Sequence, residues 1–217
     1  AGMAILEADS PAPGQARLRL EACSNPAVDL VYKVRDRLQV QSRYRDATLR
    51  SQHYRYRQSE GRQHSDLSLE FRHSICQVQV TDHARKETLS HPIPPRTLDL
   101  VTAFFTTRAL PLQSGESYRL PVFDQDKHYA LSIEVMQRQS LDTVLGKDTP
   151  TVKIHPRLQT EGIFKRDGEI HLWLTDDERH LPVRMKSRIR LGRVIAELTH
   201  IHRHPPDEPD GAGLCGD

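Results

Sequence analysis

Residues 183–191 read VRMKSRIRL, in which every second side chain is a cation and most of the side chains between are apolar. Successive side chains of a β-strand point to opposite faces of the sheet, so this period of two predicts a strand with one apolar and one basic face. Apolar alternation resumes at Val194 after Gly192 and Arg193. A two-residue link that begins with glycine suits a type II′ turn, so we predict an antiparallel hairpin with its turn at these two residues.

The same alternation recurs along most of the chain. A second hairpin is predicted from residues 170–174 and 181–185, with its turn at residues 175–179. Further strands of this kind are predicted at residues 16–22, 67–71, 76–80, 118–122 and 131–135.

One segment does not show the two-residue alternation of a strand. From Thr97 to Leu110 the apolar residues are spaced by three or four, which is typical of a helix. Thr97 can serve as its N-cap, and Pro111 follows its end. The predicted fold is therefore all-β dominated: one curved antiparallel sheet or half-barrel, with one principal helix near residues 97–108 packed against it.

Length and composition limit the class of protein. The 217 residues suffice for one core, and we predict a single antiparallel β domain over residues 1–204 with a flexible C-terminal tail over 205–217. The formal net charge is only +2, so a nucleic-acid partner is not predicted. No apolar run reaches the roughly 18 residues of a membrane-spanning helix. The three cysteines are widely spaced and define neither a zinc site nor a disulfide framework.

Two groups of residues are candidates for binding. A pocket between helix and sheet could hold an apolar ligand, although the same residues would also fill an ordinary core. Its candidates are Leu98, Val101, Phe104, Phe105, Trp173 and Met185. A basic strand face could hold phosphate groups, or it could simply be a solvated face. Its candidates are Arg184, Lys186, Arg188 and Arg190. The interleaved arginines and tyrosines of residues 43–62 are open to the same two interpretations.

Catalytic and metal-binding patterns are weak. Asp176 and Asp177 are adjacent carboxylates at a predicted turn, where such side chains usually bond their own backbone. The histidines at 200, 202 and 204 share one face of an extended chain, but neighbours on that face lie about 6.5–7 Å apart, so a fraying strand is favoured over a metal site. No nucleophile motif or phosphate-binding glycine loop is found. We therefore predict no enzyme activity, no cofactor and no metal.

The sequence near the C-terminal end resembles a known family. Residues 168–177 read GEIHLWLTDD and residues 181–184 read LPVR, and together they resemble the closing segment of the family called domain of unknown function 3108. Weaker resemblance lies at residues 1–4, at 32–36 and in the helix at 99–108, so it extends over nearly the whole chain to about residue 201. The family usually has another strand before the segment that is residues 1–2 here, and this strand is missing.

The resemblance implies a location and a class of function. Members of this family are exported bacterial proteins without an established activity, so a periplasmic or otherwise exported location is expected. Their closing hairpins are similar to those of LolA-type lipoprotein carriers, in which a curved sheet half-closes around helices and holds acyl chains. We therefore expect a non-enzymatic carrier or binding protein of the bacterial envelope, with a lipid, a lipoprotein acyl chain or another apolar moiety as ligand. The alternative is a scaffold or adaptor that binds another envelope protein through a sheet edge or a basic face.

Overall fold

The computed structural model describes residues 2–30, 32–46, 48–160, 163–164, 169–189 and 192–202. In this part of the chain the strands form two antiparallel sheets, and short connections join most strands to the next. By their contacts the residues group into two compact units. Among the described residues, those up to Ala103 together with Phe123–Lys127 form the first unit, and Phe104–Val122 with those from His128 to His202 form the second.

The first sheet is a meander whose spatial order equals the chain order, and the whole of it lies in the first unit. A four-residue helix α1 (Pro26–Asp29) and a 3-10 turn (His73–Ile75) connect some of its strands. The seven strands are β1 (Gly2–Asp9), β2 (Gln15–Ser24), β3 (Val34–Arg45), β4 (Thr48–Glu60), β5 (Gln63–Arg72), β6 (Gln77–Asp82) and β7 (Glu87–Pro92).

The second sheet follows the helix α2 (Leu100–Arg108). Its strands are β8 (Ser117–Asp124), β9 (Lys127–Thr143), β10 (Gly146–Thr160), β11 (Ile163–Phe164), β12 (Glu169–Thr175), β13 (Pro182–Ile189) and β14 (Gly192–Glu197). Their spatial order is β14-β13-β12-β10-β9-β8, and the two-residue β11 pairs with β10 beside this path. Within the described part of the chain, neither helix has the length and hydrophobicity that crossing a membrane requires.

One apolar row shows why the first sheet forms. Leu18, Val40, Tyr54, Leu69 and Val80 lie opposite one another on five neighbouring strands. Each has at most 8% of its surface exposed. Because every second residue of a strand points to the same face, alternation in the sequence becomes a continuous buried layer, and each side chain contributes about 1.5–3 kcal/mol.

The predicted fold class is confirmed, since strands predominate and one helix is the principal one. The strands are divided between two sheets rather than lying in one, because local alternation does not encode which strands pair. Both predicted C-terminal hairpins form, β12 with β13 and β13 with β14.

The turn of the last hairpin is not where we predicted it. Ile189 pairs with Gly192 and Arg188 pairs with Arg193, so Gly192 and Arg193 belong to β14 rather than to the turn. Residues 190–191 lie outside the described residues. A glycine in the sequence does not locate a hairpin turn precisely, because the register of a hairpin also depends on which side chains must reach the buried face.

The start of α2 also differs from the prediction. Thr97 does not cap the helix, because its hydroxyl donates to the carbonyl oxygen of Pro94 over 2.7 Å and closes a turn. The cap is Asp99, whose carboxylate accepts the backbone N–H of Thr102 over 2.8 Å. Asp99 is fully buried, and the hydroxyl groups of Ser51 and Thr102 also donate to it. The cap of the helix therefore lies two residues later than predicted.

Candidate functional site

A tryptophan, two histidines and several charged side chains lie together on one polar surface of the second sheet. Lys153 of β10 lies opposite Trp173 of β12, which in turn lies opposite Arg184 of β13. Because side chains alternate along a strand, every second residue of these three strands shares this surface. We call it the Trp173 face and define it by Lys153, His155, Arg157, Glu169, His171, Trp173, Arg184, Lys186 and Arg188.

Trp173 lies at the centre of this face. Its side chain is 6% exposed although it shares the face with cations. The ammonium groups of Lys153 and Lys186 lie 5.3 and 5.5 Å from the centroid of its ring, which is the range of cation–π contacts. The indole Nε1 is buried and has no hydrogen-bond partner among the described residues. A buried donor without an acceptor costs about 1–3 kcal/mol.

Two imidazoles meet beside the tryptophan. Nδ1 of His155 lies 3.1 Å from Nε2 of His171, and Oε1 of Glu169 lies 3.8 Å from the same Nε2. Burial lowers the pKa of both histidines, and the positive charges of Arg157 near His155 and Lys153 near His171 lower each pKa further. Both rings are therefore neutral at pH 7, and a single N–H···N hydrogen bond can join them.

The charges of the Trp173 face are only partly balanced. Arg157 pairs with Glu134 over 3.2 Å, and Arg184 pairs with Glu197 over 2.8 Å. Lys153, Lys186 and Arg188 form no ion pair with any carboxylate in the described ranges. The face therefore has an excess of positive charge and of hydrogen-bond donors.

Three of the four predicted anion-binding residues lie on this face. Arg184, Lys186 and Arg188 share it with Trp173, whereas Arg190 lies outside the described residues. Met185 lies on the opposite side of the same strand, across from Leu172. The structure therefore separates Met185 from Trp173, although both were candidates for one apolar groove.

The other predicted groove residues lie on and before α2. Leu98 and Val101 belong to the first unit and are each 4% exposed. Phe104 and Phe105 belong to the second unit, are half-buried and contact each other edge to face, with centroids 5.7 Å apart. The apolar groove itself stays a prediction.

The acidic turn is held together by local ion pairs. Asp177 accepts hydrogen bonds from the Thr175 hydroxyl over 2.6 Å and from the Arg179 side chain over 2.6 Å. Asp176 pairs with Arg138 over 2.8 Å. Each carboxylate is exposed and bound to a cation, which is the arrangement of a structural turn.

The predicted histidine run lies beyond the last strand. His200 and His202 are exposed, with their rings stacked 6.1 Å apart, and they follow the end of β14 at Glu197. The third histidine, at position 204, lies outside the described residues. The strand does not extend to this run as we had predicted.

Two carboxyl groups, those of Asp36 and Glu60, lie close together in the first unit. Asp36 of β3 is hydrogen-bonded to Glu60 of β4, and it also accepts the backbone N–H of Ser59 over 3.3 Å. Burial, together with the hydrogen bond and the negative charge of Glu60, raises the pKa of Asp36 to about 7. Asp36 is therefore about half protonated at neutral pH.

Sequence reasoning gave five members of the Trp173 face no binding role: Lys153, His155, Arg157, Glu169 and His171. Spacing alone places Glu169 and His171 on one side of β12, because they are two residues apart. It does not place His155 beside them, since that contact depends on the pairing of β10 with β12. His155 could have been found only by pairing the two strands correctly before searching for clusters.

Comparison with solved structures shows the fold. A beta-barrel-like protein of domain of unknown function DUF1849 from Brucella abortus matches with a TM-score of 0.60 and 11% identity, covering 91% of this chain and 86% of that chain. A DUF1089 family protein from Pseudomonas aeruginosa matches with a TM-score of 0.37 and 13% identity, covering 84% of this chain and 88% of that chain. The second similarity is too low to support an argument.

Sequence comparison identifies the family. No functionally curated protein matches the chain significantly. The model of the family described as protein of unknown function (DUF3108) matches residues 1–199. This match covers nearly all of the described residues, including every member of the Trp173 face, and so the chain belongs to the DUF3108 family.

Proposed function

We propose that this protein is a non-enzymatic binding or carrier protein of the bacterial envelope, which holds a lipid by its anionic head group on the Trp173 face. The observation that carries the proposal is the group of cationic donors around Trp173 for which the described residues supply no carboxylate partner. These donors are the ammonium groups of Lys153 and Lys186 and the guanidinium group of Arg188.

A phosphate or carboxylate group fits this surface by its chemistry. It offers acceptor oxygens and negative charge, whereas ammonium and guanidinium groups only donate. A hydrogen bond to a charged group contributes about 1.5–3 kcal/mol. Three such bonds together would approach the roughly 8 kcal/mol of micromolar binding before the entropic cost of association is subtracted.

An apolar side chain lies beside the cations. Ile195 of β14 is directly opposite Lys186 and is 58% exposed. A lipid held by its head group can lay part of an acyl chain over this isoleucine, and each buried CH₂ group contributes about 0.8 kcal/mol. An anionic amphiphile therefore fits the face better than a free inorganic anion does.

The non-enzymatic and exported parts of the proposal rest on further observations. Asp176 and Asp177, the carboxylates considered for acid–base chemistry, are bound to arginines on an exposed turn. Cys23 is disulfide-bonded. Disulfides are typical of oxidising compartments such as the periplasm, which supports export.

Vesicle binding tests the proposal. We expect the protein to float with vesicles of phosphatidylglycerol and phosphatidylcholine but not with vesicles of phosphatidylcholine alone. The double variant Lys153→Gln with Lys186→Gln should lose at least tenfold in affinity. Its matched control is Lys127→Gln with Lys147→Gln, which removes the same charge from exposed lysines outside the face. Equal binding to both kinds of vesicle, or an equal loss in the control, would contradict the proposal.

Exposed apolar side chains on edge strands favour a second candidate, a scaffold that pairs with another envelope protein. Met3 on β1 is 63% exposed and Leu89 on β7 is 60% exposed. Edge strands present unpaired backbone groups to which a partner strand can add. A photoreactive residue at position 89 should then give one discrete adduct in intact cells, and a control at exposed position 62 should give none. The same products at both positions would reject this candidate.

A further inference from the structure

We infer that His155, His171 and Glu169 form a binding site for one divalent transition-metal ion of the zinc class. The donors are Nδ1 of His155, Nε2 of His171 and a carboxylate oxygen of Glu169. This inference goes beyond the proposed lipid binding and does not depend on it.

The distances between these donor atoms suit a metal ion. All three lie within 4.8 Å of one another, and the two imidazole nitrogens are 3.1 Å apart. Two donors that each lie 2.0–2.1 Å from a tetrahedral ion are about 3.4 Å apart. The imidazoles therefore need to separate by only a few tenths of an ångström. The Glu169 side chain is 54% exposed and can rotate to complete the site.

The sheet fixes the two histidines in this position. Ile154 is paired with Leu172, so the next residues, His155 and His171, are neighbours on adjacent strands. His155 is 7% exposed, and surrounding side chains therefore limit its rotation. Donors carried by paired strands are held more accurately than donors on loops, which favours binding.

The direct contact between the two ring nitrogens supports the same inference. Neutral imidazole is the form that coordinates metals. Binding an ion exchanges one N–H···N hydrogen bond between the rings for two coordinate bonds.

The surrounding positive charges, together with the imidazole donors, indicate which metal ions can bind. Lys153 and Lys186 lie over the Trp173 ring, and Arg157 is paired with Glu134. This cationic environment weakens the binding of any cation, and it leaves little attraction for Mg²⁺ or Ca²⁺, which require several oxygen ligands. Zn²⁺, Cu²⁺ and Ni²⁺ bind imidazole well. Two histidines and one glutamate also leave a fourth position for water, as in known zinc sites.

The chain contains a single tryptophan, and it is next to the proposed site. The ring centroids of Trp173 and His171 are 6.2 Å apart. Cu²⁺ bound at this distance quenches indole fluorescence, whereas Zn²⁺ at the same donors does not. Tryptophan emission therefore reports occupancy of this site specifically.

The test is a titration of the EDTA-treated, dialysed full chain with CuCl₂. We expect saturable quenching at one equivalent, reversed by a large excess of ZnCl₂ and unaffected by the same excess of MgCl₂. His171→Gln and His155→Gln should abolish the saturable quenching in protein whose circular dichroism is unchanged. Because His155 is buried and its variant could unfold, the exposed Glu169→Gln serves as a second variant, and it should weaken binding at least tenfold.

The matched control is the double variant His200→Gln with His202→Gln. These histidines are also close together, and they could bind copper without the proposed site. The control should keep the full saturable quenching. The inference is overturned if the folded wild type shows no saturable quenching, if MgCl₂ reverses it as well as ZnCl₂ does, or if the control variant loses it while Glu169→Gln keeps it.

Discussion

Replacing Asp36 with asparagine should stabilise the protein at pH 8 and leave its stability nearly unchanged at pH 4. Asp36 shares a hydrogen bond with Glu60, and this neighbour together with burial raises the pKa of Asp36 to about 7. Above that pH the fold must hold two negative charges side by side. Asparagine keeps the carbonyl oxygen that accepts the Ser59 N–H, and it removes one of the charges.

The sign of the effect follows from proton linkage. Between pH 3.8 and about 7 the folded chain binds more protons at Asp36 than the unfolded chain does. The free energy of unfolding of the wild type therefore falls as the pH rises through this window. The full change in pKa corresponds to roughly 4 kcal/mol, and the partial exposure of the group reduces the expected gain at pH 8 to about 1–2 kcal/mol.

Urea denaturation of both proteins at pH 4 and pH 8 measures this gain. The difference in free energy of unfolding between the variant and the wild type isolates the contribution of Asp36, because other groups that titrate in the same pH range contribute equally to both proteins. Asp126→Asn is the matched control, because Asp126 lies exposed in the turn between β8 and β9. A variant that gains nothing at pH 8, or that gains equally at both pH values, would show that the carboxyl pair does not share a proton.

Three further predictions concern single side chains and turns. Asp99→Ala should lower the free energy of unfolding in urea by about 2–4 kcal/mol, because it removes a helix cap and leaves buried donors without an acceptor. Gly61→Ala should lower it by about 1–2 kcal/mol more than Gly14→Ala, since both glycines have positive φ but only at Gly61 would the added Cβ meet a side chain, at 3.0 Å. Asp176→Asn combined with Asp177→Asn should leave phosphatidylglycerol vesicle binding unchanged in the flotation assay, and a loss of binding by folded protein would make the turn a functional site.

Alternation predicted many of the strands but not their partners, and it gave no prediction for β3, β7 or β10. Leu18 and Leu69 stand in alternating stretches, and both became part of one buried row. The local sequence does not specify that this row belongs to one of two sheets, because the pairing of strands depends on the whole chain. The helix was predicted from its spacing, yet its start was misplaced because Thr97 and Asp99 are both good caps. The buried hydroxyl of Ser51, which is distant in sequence, favours the second.

The site was harder to predict than the fold. Alternation identified the basic residues of β13, since they form an unbroken pattern within one strand. The imidazole pair is formed by residues 16 positions apart on different strands, so it depends on register. Trp173 was assigned to an apolar groove because of its hydrophobicity, whereas its actual neighbours are lysines. A tryptophan covered by cations cannot be distinguished from a core tryptophan without the cross-strand pairs.

The order of the strands has a consequence for how the chain folds. In both sheets, hydrogen-bonded neighbours are also near neighbours in sequence. Closing a short loop costs little entropy, and proteins with such local contacts fold quickly for their size. Each sheet can thus grow by adding one hairpin arm at a time, without a long search for a distant partner. The unpaired arm at the growing end is then the segment most exposed to aggregation or to capture by a chaperone.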